Sequence, residues 1–91
     1  MSTIAREVRV LGRVQGVYYR ASTREQARLL AVAGEVRNLS DGGVQAWLEG
    51  EEEAVTALLK WMRQGPRRAR VEELIVNQRA PRGFTDFDVI Q

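Results

Sequence analysis

Apolar and polar positions recur at two different periods along this chain, and the changes of period divide it into elements. Glu7, Val8, Arg9, Val10 and Leu11 alternate polar with apolar, which predicts a first strand. Thr23, Ala27, Leu30 and Ala31 then recur at i, i+4, i+7 and i+8, one face of a helix. Ser22 stands three residues before Glu25, and Thr23 three before Gln26, so a capping box at one of these pairs is expected to open that helix. It is expected to run to about Ala33, with Gly34 as the residue that ends it. Residues 35–39 read as a second strand, and Ser40-Asp41-Gly42-Gly43 as a turn. Val44, Ala46 and Leu48 alternate with Gln45, Trp47 and Glu49, a third strand with one buried face that leaves Trp47 partly exposed.

Glu51, Glu52 and Glu53 open a second helix, where acidic residues complement the helix dipole. Ala54, Val55, Leu58, Leu59, Trp61 and Met62 supply its apolar face, and Gly65-Pro66 ends it. Residues 70–76 form a fourth strand, in which Glu72-Glu73 breaks the alternation and marks a bulge. Pro81-Arg82-Gly83 turns the chain, and residues 84–90 make a short last strand. The order βαββαβ plus a C-terminal strand predicts an α+β fold, a ferredoxin-like α/β sandwich. Its sheet is largely antiparallel, with two helices on one face and right-handed crossovers. All residues, 1–91, are expected to form one domain.

Composition narrows the chemistry more than the fold. The 91 residues are 44% apolar and 29% charged, ordinary for a globular chain. No apolar run approaches the ~20 residues of a membrane span, and residues 1–7 carry no hydrophobic signal segment, so a cytoplasmic location without membrane attachment is expected. There is no Cys and no His. A thiol-phosphate or phosphohistidine intermediate, Ser-His catalysis, and thiolate or imidazole metal sites are thereby excluded. The net charge is +2. That weak field helps to attract small anions, but does not by itself argue for nucleic acid.

One segment carries the chemistry. Gly12-Arg13-Val14-Gln15-Gly16-Val17-Tyr18-Tyr19-Arg20 leaves the first strand and enters the first helix. Glycines let the backbone curl so that several N–H groups point inward as a nest. The helix start adds unpaired N–H groups and the positive end of its dipole. Arg20 adds a permanent cation whose planar fork can grip two phosphate oxygens. The expected phosphate-binding loop is therefore Gln15, Gly16, Val17, Tyr18, Tyr19 and Arg20, with Tyr18 and Tyr19 read as packing residues carrying a polar tip. In the predicted topology the first and second strands run parallel with the third between them. Their carboxyl ends share one sheet edge, two inter-strand spacings or roughly 10 Å apart. Asn38 stands at the end of the second strand, so Arg20 and Asn38 can reach one small anion. Taken alone, Arg20 reads as a surface arginine and Asn38 as a turn residue; Asp41 reads as a turn residue and Arg67, Arg68 and Arg70 as a solvated rim.

At this point the sequence resembles the acylphosphatase family. The family's G-x-V-Q-G-V-x-[FY]-R loop is seen as Gly12 to Arg20, and its T-x-x-x-A helix segment as Thr23 and Ala27. Its G-x-V-R-N segment is seen as Gly34-Glu35-Val36-Arg37-Asn38, its D-G-x-V hairpin as Asp41 to Val44, and its G-P-x-x-A-x-V segment as Gly65 to Val71. Glu35 stands where the family often has Trp, and Arg67 follows Pro66 where it often has a second Pro. The resemblance implies hydrolysis of acyl phosphates to a carboxylate and inorganic phosphate, with no metal and no cofactor. It maps the phosphate-binding arginine onto Arg20 and the water-orienting asparagine onto Asn38. A small acyl phosphate substrate, no nucleic-acid partner and a monomer are expected. The alternatives are a ferredoxin-like RNA-binding module or a small-molecule-binding regulatory module. Against the first, Val44-Gln45-Ala46-Trp47-Leu48 lacks the [KR]-G-[FY]-[GA]-[FY] pattern of RNA-recognition domains.

Overall fold

The elements follow in the order β1 (Thr3–Arg13), α1 (Tyr19–Leu29), β2 (Ala33–Asn38), β3 (Val44–Glu51), α2 (Glu52–Gln64), β4 (Arg70–Arg79) and β5 (Phe87–Ile90). They are taken from a computed structural model, which describes residues 2–91. The five strands make one sheet in the order β4-β1-β3-β2-β5. β3 pairs antiparallel with both β1 and β2, so β1 and β2 run parallel on either side of it. β5 adds parallel to β2 at the edge. This is the α+β, ferredoxin-like arrangement expected from the element order, and it sends the ends of β1 and β2 to the same sheet edge.

The core lies between the helices and one sheet face. Val8 and Val10 of β1, Val36 of β2 and Ala46 and Leu48 of β3 meet Ala27 of α1 and Val55, Leu58 and Met62 of α2, all buried. Trp61 is only partly buried against this cluster, and Arg67, Arg68 and Arg70 are exposed. The irregularity expected at Glu72-Glu73 is present: Leu11 pairs with Glu73 and Gly12 with Val71, so Glu72 is the extra residue of a bulge. Gly12, at φ 128°, lies so close to the bulged strand that a Cβ there would run into the Arg70 carbonyl oxygen. Among the described residues no helix is long and apolar enough to cross a membrane.

Three local expectations are corrected. α1 begins at Tyr19, ahead of both capping boxes, with Tyr18 as an N-cap that makes no side-chain cap bond. Thr23 is buried mid-helix, its hydroxyl donating to the Tyr19 carbonyl at 2.7 Å. Tertiary anchoring overrides local capping here: Tyr19 is buried and its hydroxyl donates to the Met62 carbonyl at 2.7 Å, which fixes the first turn against α2. α1 also ends early, at Leu29. The Val32 N–H reaches the Ala27 carbonyl at 2.8 Å and the Ala31 N–H the Arg28 carbonyl at 3.2 Å, a Schellman ending with Ala31 in the left-handed region at φ 59°. Gly34 is a strand residue instead, pressed against the Trp47 carbonyl of β3.

The third correction concerns the outer sheet face. Trp47 is buried, not partly exposed. Residues 80–86 form no strand and cross over the face turned away from the helices, and β5 starts only at Phe87. The Arg82 guanidinium lies 3.9 Å from the Trp47 ring centroid, and the Phe84 ring is 6.5 Å from it. Glu49, only 3% exposed, anchors this strap. Its carboxylate accepts from the Trp47 indole at 2.6 Å and from the main-chain N–H groups of Arg82, Gly83 and Phe84 at 2.6, 3.0 and 3.2 Å.

Candidate active site

An open cavity of about 500 Å³ lies at the sheet edge where β1 and β2 end. Gly16, Tyr18, Tyr19 and Arg20 line it from the loop and the first turn of α1, Asn38 from the end of β2, and Val89 and Gln91 from β5 and beyond. The structure thus brings Arg20 and Asn38, distant in sequence, to one cavity.

The loop's curl has a definite cause. Gly16 sits at φ 73° and Tyr18 at φ 64°, so two residues of the turn are left-handed. Glycine accepts that conformation freely; for a bulky Tyr it is costly. Among the described residues, none of the main-chain N–H groups of Gln15, Gly16, Val17 or Tyr18 donates to a group of the chain. The helix that follows has no acidic residue in its first turn. α2 contrasts with it, placing Glu52 and Glu53 at its own start. The N-terminus of α1 therefore offers unpaired donors and an uncompensated positive dipole end, with the Arg20 cation added beside them. Arg20 is half-buried and makes no ion pair among the described residues; its guanidinium approaches the Ile90 carbonyl at 3.5 Å. Asn38 is exposed, and its side chain makes no hydrogen bond among the described residues, so its amide is free to act on a bound molecule.

The other loop residues divide by task. The Val17 side chain is buried in the core and anchors the turn. Tyr19 does so too, and burial pushes its hydroxyl well above the usual tyrosine range, so it stays a neutral donor. Tyr18, read from the sequence as packing, is 78% exposed at the rim. The Gln15 side chain turns away from the loop's N–H groups: its amide donates to the carbonyls of Leu39 at 2.8 Å and Gly43 at 2.7 Å. It thereby ties the loop to the β2–β3 hairpin immediately after Asn38. Asp41 closes that hairpin as expected, accepting from the Gly43 N–H at 2.9 Å and pairing with Arg9 at 2.7 Å. The Gly43 bond and the Arg9 cation outweigh slight desolvation and hold the Asp41 carboxyl below the usual range. No group of three or more Asp and Glu side chains that could hold a metal ion occurs among the described residues.

Comparison with known proteins places the chain in a family. The family model described as Acylphosphatase matches residues 6–89. The chain belongs to the acylphosphatase family. An acylphosphatase from Gloeobacter violaceus is 52% identical over 92 residues, covering 100% of this chain and 99% of the relative. One from Thermococcus kodakarensis is 46% identical over 90 residues, covering 99% of each. The crystal structure of acylphosphatase from Bacillus subtilis superposes with a TM-score of 0.94 at 29% identity, covering 97% of this chain and 99% of that one.

Reading the sequence missed three features of the candidate site of this acylphosphatase. The tethering role of the Gln15 side chain left no pattern, because its partners are main-chain carbonyls. The wall made by Val89 and Gln91 depends on where the strap delivers β5. Arg24, one turn beyond Arg20, also lines the cavity; its i+4 spacing from Arg20 was the available signal.

Proposed function

We propose that this acylphosphatase hydrolyses acyl phosphates by in-line attack of water on phosphorus, with Arg20 and Asn38 as the catalytic residues. The loop N–H groups from Gln15 to Tyr19 and the Arg20 guanidinium hold the phosphoryl oxygens and neutralise their charge. The Asn38 amide holds the attacking water opposite the leaving group. The water oxygen bonds to phosphorus, the bond from phosphorus to the acyl oxygen breaks, and that oxygen leaves as a carboxylate. The water's proton passes to a phosphoryl oxygen, giving inorganic phosphate. A carboxylate leaves readily without acid catalysis, and phosphoryl transfer passes through a loose transition state. Positioning and electrostatics therefore supply most of the acceleration, which suits a site without His.

The observation that carries the reading is the shared cavity: Gly16, Tyr18 and Tyr19 of the loop, Arg20 without an ion pair, and Asn38 without a side-chain hydrogen bond among the described residues all line it. The outer sheet face argues against the RNA-binding alternative. There Glu7 and Glu35 flank Trp47 in register, and Trp47 lies under Arg82. Bases stack on aromatic rings left open, and anionic backbones avoid carboxylates. The proposal extends to a single-domain monomer acting in the cytoplasm.

Benzoyl phosphate hydrolysis, followed by ultraviolet absorbance, tests the roles. Asn38→Ala should lower kcat on the order of 100-fold while inhibition by phosphate changes little. Arg20→Lys should raise the phosphate inhibition constant as well, because a point charge cannot replace a planar fork. Equal losses of turnover and phosphate affinity in Asn38→Ala would refute the division of roles.

A further inference from the structure

The cavity holds a second cation that the proposed hydrolysis does not use. Arg24 stands one turn after Arg20 on α1 and lines the same space. Side chains at that spacing lie over one another, with Cβ atoms about 5–6 Å apart. Arg24 is half-buried, yet among the described residues it makes neither an ion pair nor a hydrogen bond. Arg28, the next residue in the same row, pairs with Asp86 at 3.4 Å and approaches Asp88 at 3.9 Å. Among the described residues no Asp or Glu side chain lines the cavity. Like charges one turn apart destabilise a helix, so helix stability gives no reason for two unpaired arginines here.

The walls beside them add a direction. Val14 and Val89 line the cavity together with the exposed Tyr18, so an apolar stretch accompanies the two cations. With a phosphoryl group at Arg20 and the loop, an acyl chain has methylene-compatible walls beside it and the Arg24 guanidinium within reach of its far end. We propose that Arg24 is a specificity-determining residue, selecting acyl phosphates whose acyl chain carries a second anionic group. The inference rests on the reading of Arg20 and the loop as the phosphoryl site.

The test compares succinyl phosphate, which ends in a carboxylate, with butyryl phosphate, its uncharged counterpart of equal length. The readout is the ratio of their kcat/KM values in the wild type, Arg24→Gln, Arg24→Lys and Arg67→Gln. Arg67 is an exposed rim arginine, so its variant changes net charge by the same amount away from the cavity. Arg24→Gln should lower the succinyl-to-butyryl ratio about fivefold, the scale of one partly exposed ion pair. Arg24→Lys should keep most of the preference and Arg67→Gln all of it. An unchanged ratio in Arg24→Gln, or an equal fall in Arg67→Gln, would overturn the proposal while leaving the phosphoryl site intact. Failure of the wild type to hydrolyse either acyl phosphate would instead overturn the phosphoryl-site reading, and this inference with it.

Discussion

The Gln15 tether can be removed without touching the phosphate-facing groups. Gln15→Met keeps the side chain's length and loses both donors, so the bonds to the Leu39 and Gly43 carbonyls disappear. Two neutral hydrogen bonds are worth about 1–3 kcal/mol together. Each carbonyl keeps another partner: the Gly43 carbonyl accepts from the Leu39 N–H at 2.8 Å, and the Leu39 carbonyl from the Gly42 N–H at 3.3 Å. No acceptor is orphaned, so the loss belongs near the lower end, about 1–1.5 kcal/mol. For a domain of this size that is a fall in Tm of roughly 4–12 °C. The effect on turnover should be larger than this. The tether holds the loop leading to Arg20 against the hairpin that follows Asn38, and a misplacement of about 1 Å can cost 100-fold. A kcat reduced about 10–100-fold, with phosphate inhibition changed less, is the expected result, measured with benzoyl phosphate well below the variant's Tm. A kcat within twofold of wild type alongside the fall in Tm would refute the argument that this bond pair sets the relative position of Arg20 and Asn38.

Other perturbations follow from the corrected elements. Ala31 occupies the left-handed C′ position of α1 and is exposed, so Ala31→Gly should stabilise the fold by about 0.5–1 kcal/mol in chemical denaturation; any destabilisation would contradict the assigned helix ending. Leu58 is fully buried and Leu30 only partly, so Leu58→Ala should cost about 2–5 kcal/mol in urea denaturation and Leu30→Ala clearly less. Burial alone would raise the Glu49 carboxyl, but the N–H groups of Arg82, Trp47, Gly83 and Phe84 outweigh it and hold the group below the usual carboxylate range. Its folded-state value is depressed, so its stabilisation is complete above the unfolded value near 4.3 and is lost as pH falls through the folded value. Glu49→Gln keeps one acceptor oxygen and should cost about 2–3 kcal/mol at neutral pH. As pH falls through the folded-state value, the variant's denaturation midpoint should converge on that of the wild type, and a constant gap across pH would contradict the charged role.

What was legible in the sequence, and what was not, follows the range of the forces involved. The strands were legible because alternation against a one-sided core is a local signal, and Gly12, Gly16 and the Glu72-Glu73 irregularity are local backbone requirements. Once the order of elements gave the topology, the meeting of Arg20 and Asn38 required only strand geometry. The start of α1 was misread because its capping signals, Ser22 and Thr23, compete with a tertiary one: buried Tyr19, bonded to α2, decides where the first turn sits. Tyr18 and Tyr19 look alike in sequence, yet a left-handed backbone at the first turns its ring to the rim while the second fills the core.

The strap was invisible for a different reason, and it bears on the site. Residues 80–86 carry no periodicity because they cover Trp47 and Glu49 on another strand instead of burying a face of their own. β4 and β5 lie at opposite edges of a five-stranded sheet, so the connection must cross four inter-strand spacings, about 19 Å. The eight Cα–Cα steps from Arg79 to Phe87 reach at most about 26–29 Å, so the strap has only limited slack. A connection pinned at mid-course by Glu49 limits how far β5 can slide along β2. Its register pairs Gly34 with Phe87 through Arg37 with Ile90. That register delivers Val89 and Gln91 to the cavity at the far end of the strand. One wall of the site thus lies downstream of a strap anchored by a buried carboxylate at the opposite end of the sheet, a link that exists only once the chain is folded.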